Sequence, residues 1–125
     1  MHPPFDPQVW QALAALGPEV SRSITPERIG DQRSASAAAA PTMDRLACSA
    51  LVSTRVVPGT GGDPERELLV LSPRRAADGP RPGIVFFHGG GLIAGSARNS
   101  LDHALGWIDE FDAVVVSAEY RLAPE

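Results

Sequence analysis

The spacing of apolar and polar positions changes near residue 47, and the change divides the chain. Before it, apolar residues recur at helical intervals. Val9, Trp10, Leu13 and Leu16 share one face of a segment opened by Asp6-Pro7, a capping side chain followed by a proline suited to the first helical turn, and closed by Gly17-Pro18. Thr25-Pro26-Glu27 repeats the start signal ahead of a weaker helix, interrupted by Gly30, filled by Ala35-Ser36-Ala37-Ala38-Ala39-Ala40 and ending before Pro41.

From Ala47 the period is two. Leu51, Ser53, Arg55 and Val57 alternate with Val52, Thr54 and Val56, which predicts a half-buried strand. The run Pro58-Gly59-Thr60-Gly61-Gly62-Asp63-Pro64 is dense turn chemistry, and Glu67-Leu68-Leu69-Val70-Leu71 then predicts an antiparallel partner strand. Gly83-Ile84-Val85-Phe86-Phe87 has no alternation, the mark of a strand buried on both faces of a parallel sheet. After a glycine cluster, Ser96 or Asn99 can cap a helix whose Leu101, Ala104, Leu105 and Ile108 recur at i, i+3, i+4 and i+7. Ala113-Val114-Val115-Val116-Ser117 completes a strand-helix-strand unit, for which a right-handed crossover is expected. The fold class is therefore α/β: an antiparallel hairpin, then parallel strands joined by a helix, all preceded by helical segments.

Composition narrows the function classes. With 125 residues and 43% hydrophobic content, the chain is long enough for one compact core. Its net charge of −4 offers no basic stripe for a phosphate backbone, so nucleic acid is not an expected partner. No apolar run approaches the length of a membrane span and no basic segment precedes an apolar one at the N-terminus; a cytoplasmic protein is the expectation. Cys48 stands alone, without a second cysteine or a ligand at metal-binding spacing, and reads as a buried, reduced thiol. No metal or cofactor is implied.

The chemistry concentrates in His88-Gly89-Gly90-Gly91. A glycine cluster after a buried strand and before a helix can turn several backbone N–H groups toward one negative charge. Two chemistries use that arrangement. Gly89-x-Gly91-x-x-Ala94, with Glu119 at the end of the next strand, satisfies a permissive dinucleotide fingerprint, although the acid comes late. Alternatively, the amides stabilise the oxyanion of an ester's tetrahedral intermediate, as His-Gly-Gly-Gly segments do in lipases and esterases.

Phe87-His88-Gly89-Gly90-Gly91-Leu92-Ile93-Ala94-Gly95-Ser96, followed by Glu119-Tyr120-Arg121-Leu122-Ala123-Pro124-Glu125, resembles the hormone-sensitive-lipase group (bacterial family IV) of α/β-hydrolase esterases. The likeness runs from about Val52 to Glu125. It implies a small-molecule ester as substrate, Gly90 and Gly91 as the main oxyanion donors, and His88 as a loop-shaping residue. It also implies that Arg121 and Glu125 are buried polar anchors. Leu92 departs from the aromatic residue often found there in the family, which affects the expected shape of the acyl pocket.

The resemblance divides the chain into a helical cap region at 1–45 and the N-terminal portion of the hydrolase core at 46–125, ending ahead of the nucleophile elbow. No Gly-x-Ser-x-Gly occurs among the 125 residues, so they are expected to be nearly inert alone. Ser96 lacks the elbow glycines, His103 reads as a surface or packed imidazole, and Arg74-Arg75 as a solvated loop. In the family topology the Ile84–Phe87 strand has the 113–117 strand on one side and the serine-bearing strand on the other, so its apolar edge is expected to favour self-association. Two other functions stay open: a non-catalytic hydrolase-derived remnant or binding module, and a dinucleotide-binding oxidoreductase fragment.

Overall fold

The computed structural model describes residues 6–16 and 24–125. Helix α1 (Pro7–Ala15) starts where its capping pair dictates, with the Asp6 carboxylate accepting the Gln8 N–H at 2.8 Å. The Gly17-Pro18 stop lies outside the described residues. A 3-10 turn, Pro26–Arg28, leads into α2 (Ile29–Ala39). Gly30 does not interrupt this helix, because it sits in the first turn and one glycine costs only about 1 kcal/mol there. Helix α3 (Met43–Ser49) is not announced by the apolar pattern, and it crosses the 45/46 division. Thr42 caps it by accepting the Arg45 N–H at 3.2 Å.

Strands β1 (Leu51–Val57) and β2 (Arg66–Ser72) form the expected hairpin, in register from Leu51 opposite Ser72 to Val57 opposite Arg66. Gly61 and Gly62, both at positive φ, turn the chain between them. Strand β3 (Gly83–Phe87) leads through a loop to α4 (Leu101–Phe111) and then to β4 (Val114–Ala118), parallel to β3. The sheet order is β1-β2-β4-β3, with β2 and β4 antiparallel.

Neither Ser96 nor Asn99 caps α4. The N-cap is Ser100, at φ +63 and without a side-chain cap bond, while Ser96 Oγ donates to Asn99 Oδ1 at 2.9 Å inside the preceding turn. At the far end Asp112, also left-handed, accepts from Arg75 at 2.8 Å and Arg81 at 3.0 Å. The hydrogen bond from Arg75, helped by Arg81, holds its carboxyl below the usual range against a smaller opposing effect of burial. Arg75 thus has a structural partner in a segment that reads as solvated.

The pleat explains the core. Val52, Leu71, Val115 and Ile84 stand opposite one another across the four strands, and Leu69, Ser117 and Phe86 form the next row on the same face. Against that face pack Leu46 and Ala50 of the α3 region and Leu101, Ala104 and Ile108 of α4. The other face is thinly covered. Val85 and Phe87 are each 65% exposed, which corrects the expectation that β3 is buried on both faces: among the described residues, β3 packs on the helical layer only through Ile84 and Phe86. Strand β1, at the opposite edge, is likewise largely exposed, with only Val52 and Val57 partly covered. Cys48 is exposed on α3 rather than buried, because the helix turns Leu46 and Ala50 inward. Among the described residues no helix is long and apolar enough to cross a membrane.

Candidate active site

The glycine cluster lies at the C-terminal end of β3, beside β4, where the open ends of parallel strands commonly present ligand sites. Its shape follows from a few contacts. Gly90 O accepts from Ile93 N at 3.2 Å and Ala94 N at 3.1 Å, folding residues 90–94 into a tight turn. That turn needs φ +123 at Gly90 and +62 at Gly91, with φ +103 at Gly95 where the chain leaves it. Leu92 adopts φ +63 despite its side chain, and that side chain is exposed.

Among the described residues, no hydrogen bond takes the backbone N–H of Gly89, Gly90 or Gly91, and all three residues are exposed. The carbonyl side of the cluster is engaged and the donor side is free. Consecutive unpartnered amides are a binding surface for a negative charge.

His88 faces the other way. It is 3% exposed, and its Nδ1 lies 2.8 Å from the Gly89 carbonyl, which can only accept. The Tyr120 ring stacks on the imidazole at 4.1 Å, and its hydroxyl donates to the His88 carbonyl at 2.5 Å. Burial, with a smaller contribution from the Glu119 charge, raises the Tyr120 pKa, so the phenol keeps its proton and remains a donor at neutral pH. His88 Nε2 has no hydrogen-bond partner among the described residues; Glu119 Oε1 lies 3.5 Å from it. The ring is therefore buried beneath the loop, against Gly95, the Gly89 carbonyl and Tyr120.

Glu119 is occupied within the fold, since Oε2 accepts the Ala97 N–H at 2.9 Å. Ser117, buried on β4, donates to the Ala97 carbonyl at 2.7 Å, so both polar groups of Ala97 are fixed. This arrangement argues against a dinucleotide site. The acid expected to meet a ribose is engaged by the Ala97 N–H, and α4 opens at Leu101, ten residues after Gly91, so no helix N-terminus abuts the glycines.

The second segment closes the site from the side. Ala123 N donates to Leu92 O at 2.7 Å. Arg121 and Glu125 are exposed rather than buried: Arg121 pairs with Asp63 of the β1–β2 turn at 3.4 Å, and Glu125 with Arg33 of α2 at 2.7 Å. They anchor loops at the surface, where no covering layer is present among the described residues. Sequence reasoning passed over Arg33, which donates to Ile93 O and Ala123 O, both at 2.9 Å, as well as to Glu125. Its one signal was position: Ile29, Arg33, Ser36 and the C-cap Ala40 recur at helical spacing.

The hydrogen bond from Arg33 is the main reason that the Glu125 carboxyl falls to about 2, from an ordinary value of 4.5. A depressed carboxylate stabilises the fold above its unfolded pKa and loses that contribution as pH falls through the folded one. The pair is thus expected to be intact from pH 8 to 5 and to dissociate on acidification toward pH 2. A carboxyl-carbon NMR titration of Glu125 with its midpoint at 4.5 would show that the pair does not hold in solution.

Ser96 and His103 do not meet in a catalytic arrangement: Ser96 is engaged with Asn99, and His103 is exposed on α4. Among the described residues no group of three His, Cys, Asp or Glu could hold a metal ion.

Residues 84–125 match the family model described as the alpha/beta hydrolase fold. The chain corresponds to an N-terminal part of that fold. Within it the resemblance is to the hormone-sensitive-lipase group of esterases and lipases. The chain is 48% identical over 55 residues to arylacetamide deacetylase-like 3 of Mus musculus, covering 44% of this chain and 14% of that one. It is 41% identical over 58 residues to hormone-sensitive lipase of Homo sapiens, covering 46% and 5%. A solved structure titled bacterial heroin esterase superposes with a TM-score of 0.68 at 29% identity, over 95% of this chain and 36% of its own. The chain thus spans about a seventh of the first of these relatives and about a third of the solved esterase.

Proposed function

We propose that these residues supply the oxyanion-stabilising loop of a serine-type carboxylic-ester hydrolase. The observation that carries this reading is the run of three backbone amides without internal acceptors on the exposed residues Gly89 to Gly91, at the C-terminal end of a parallel strand. In an ester hydrolase the carbonyl oxygen becomes an anion when the nucleophile adds. Preorganised N–H groups that meet this charge contribute about 3–4 kcal/mol per donor to the transition state. Gly90 and Gly91 are the proposed donors, Gly89 extends the same surface, and His88 shapes the loop from below. In this reading no reacting proton passes through His88, whose ring is buried.

The serine, its general base and the orienting acid come from outside these residues in this reading. Without them hydrolysis falls on the order of a millionfold, so the 125 residues alone are nearly inert. Helices α1 and α2, in the region 1–45, act as the cap over the loop. The outer edge of β3 and the exposed Val85 and Phe87 beside it give the isolated chain a surface for self-association.

The test is hydrolysis of a short-chain p-nitrophenyl ester by these 125 residues and by the same chain extended with any coding sequence beyond the Glu125 codon. Background rates from the first, with turnover and phosphonate-trapped serine from an extended form carrying a Gly-x-Ser-x-Gly elbow, are expected. Enzyme-like turnover by the 125 residues alone, or an elbow-bearing form inert toward all short-chain esters, would refute the reading. A stop codon at that point would favour a non-catalytic binding module.

A further inference from the structure

Arg33 lies in the middle of α2, yet its guanidinium contacts backbone 60 and 90 residues further along the chain. Nε donates to Ile93 O at 2.9 Å, and Nη2 to Ala123 O at 2.9 Å. The fork grips both Glu125 oxygens, Nη1 to Oε1 at 2.9 Å and Nη2 to Oε2 at 2.7 Å. These acceptors share a location. Ile93 belongs to the turn that begins at Gly90, and the Ala123 N–H returns to Leu92 O. One planar cation therefore joins α2, the glycine turn and the closing segment 121–125.

Among the described residues, little else holds helix α2 there. None of its residues is buried, and its other bonds to this region are polar: Asn99 Nδ2 to Ser36 O at 2.8 Å and, just past the helix, Arg98 Nη1 to Pro41 O at 3.0 Å. Residues 90–94 are turned by two backbone bonds to a single carbonyl, a weak internal framework for a loop whose amides must keep their direction. We infer that Arg33 is a positioning residue for the glycine loop, holding the Gly89–Gly91 amides in register only while α2 is docked. Because the contacts are directional and run to two carbonyls as well as a carboxylate, the coupling depends on the shape of the guanidinium more than on its charge; lysine, a point donor, cannot span all three at once.

The inference rests on the oxyanion reading for the loop's purpose, and the test is independent of catalysis. Amide hydrogen exchange is followed at Ile93, Ala94 and Ala123, whose N–H groups are bonded within the loop, and at Val115 and Val116 in the sheet. In Arg33→Ala the loop amides are expected to exchange about tenfold faster or more, the effect of losing a hydrogen bond to a charged group. The β4 amides stay unchanged. Arg33→Lys should restore little of the protection, and Glu125→Gln, which leaves the Ile93 and Ala123 contacts in place, should loosen the loop less than Arg33→Ala. Wild-type protection of Ile93 and Ala94 in Arg33→Ala, or full rescue by lysine, overturns the inference. If Arg33→Ala loosens β4 as well, Glu125→Gln decides: unchanged loop exchange in that exposed variant overturns it. A loop that loosens as expected, in an elbow-bearing form whose hydrolysis is indifferent to Gly90→Ala, would remove the oxyanion reading alone.

Discussion

Alanine at Gly90 or Gly95 is expected to cost about 2–5 kcal/mol and to eliminate any hydrolysis that relies on the loop, while alanine at Gly89 should be nearly silent. The four glycines look alike in sequence and differ in what a methyl group would meet. At Gly90 a Cβ would fall on the Ala94 carbonyl, in a backbone held at φ +123. At Gly95 it would collide with the His88 ring and the Gly89 carbonyl together, at φ +103. Neither obstacle is the end of a flexible side chain, so the turn itself has to move. Gly91 has φ +62 but open space, its nearest neighbour being Ile93 Cγ1 at 4.0 Å, which leaves only the left-handed cost of roughly 1–2 kcal/mol. Gly89 has neither a positive φ nor an obstruction. Urea unfolding of the four alanine variants should therefore rank Gly89 below Gly91, and Gly91 below Gly90 and Gly95. Equal losses at Gly89 and Gly95 would mean that the loop adopts another conformation in solution.

That series also separates what the sequence discloses from what it conceals. The strand positions, the antiparallel hairpin and the location of the glycine cluster depend on periodicity and turn residues close together in the chain, and they are legible. The difference between Gly89 and Gly95 depends on the His88 ring and on the path of the chain through residues 90–94, so it is not. Arg33 is the sharper case. In an alanine-rich helix a lone arginine reads as solvated, because its partners lie 60 to 92 residues away and two of them are backbone carbonyls without sequence identity. Arg121 and Glu125 were expected to be buried from the likeness to a fuller fold; in the described residues they are surface anchors, since burial belongs to the surroundings and not to the motif. The same reasoning covers β3. A run of apolar residues shows that both faces can be covered, not that both are.

The one-sided core leads to the second large effect. Leu101→Ala is expected to cost about 2–5 kcal/mol, a large part of the roughly 5–15 kcal/mol that stabilises a typical domain. Leu101 is fully buried at the first position of α4, packed with Leu46, Leu71 and Val115 in the single layer between helices and sheet. Among the described residues no second core compensates, because the opposite face of the sheet leaves Val85 and Phe87 exposed. Phe87→Ser should do the reverse: it removes little buried area, so the unfolding free energy should change by less than about 1 kcal/mol. If the open face drives self-association, the same variant should sediment more nearly as a monomer than the parent chain. Chemical denaturation and analytical ultracentrifugation of the two variants separate the faces. A severe loss of stability in Phe87→Ser with no change in association would show that something covers that face in solution, whereas a mild Leu101→Ala would deny that the helical layer is the core. The expected pattern, stability lost at Leu101 and association lost at Phe87, follows from the pleat, which turns Ile84 and Phe86 toward α4 and leaves Val85 and Phe87 on the other side.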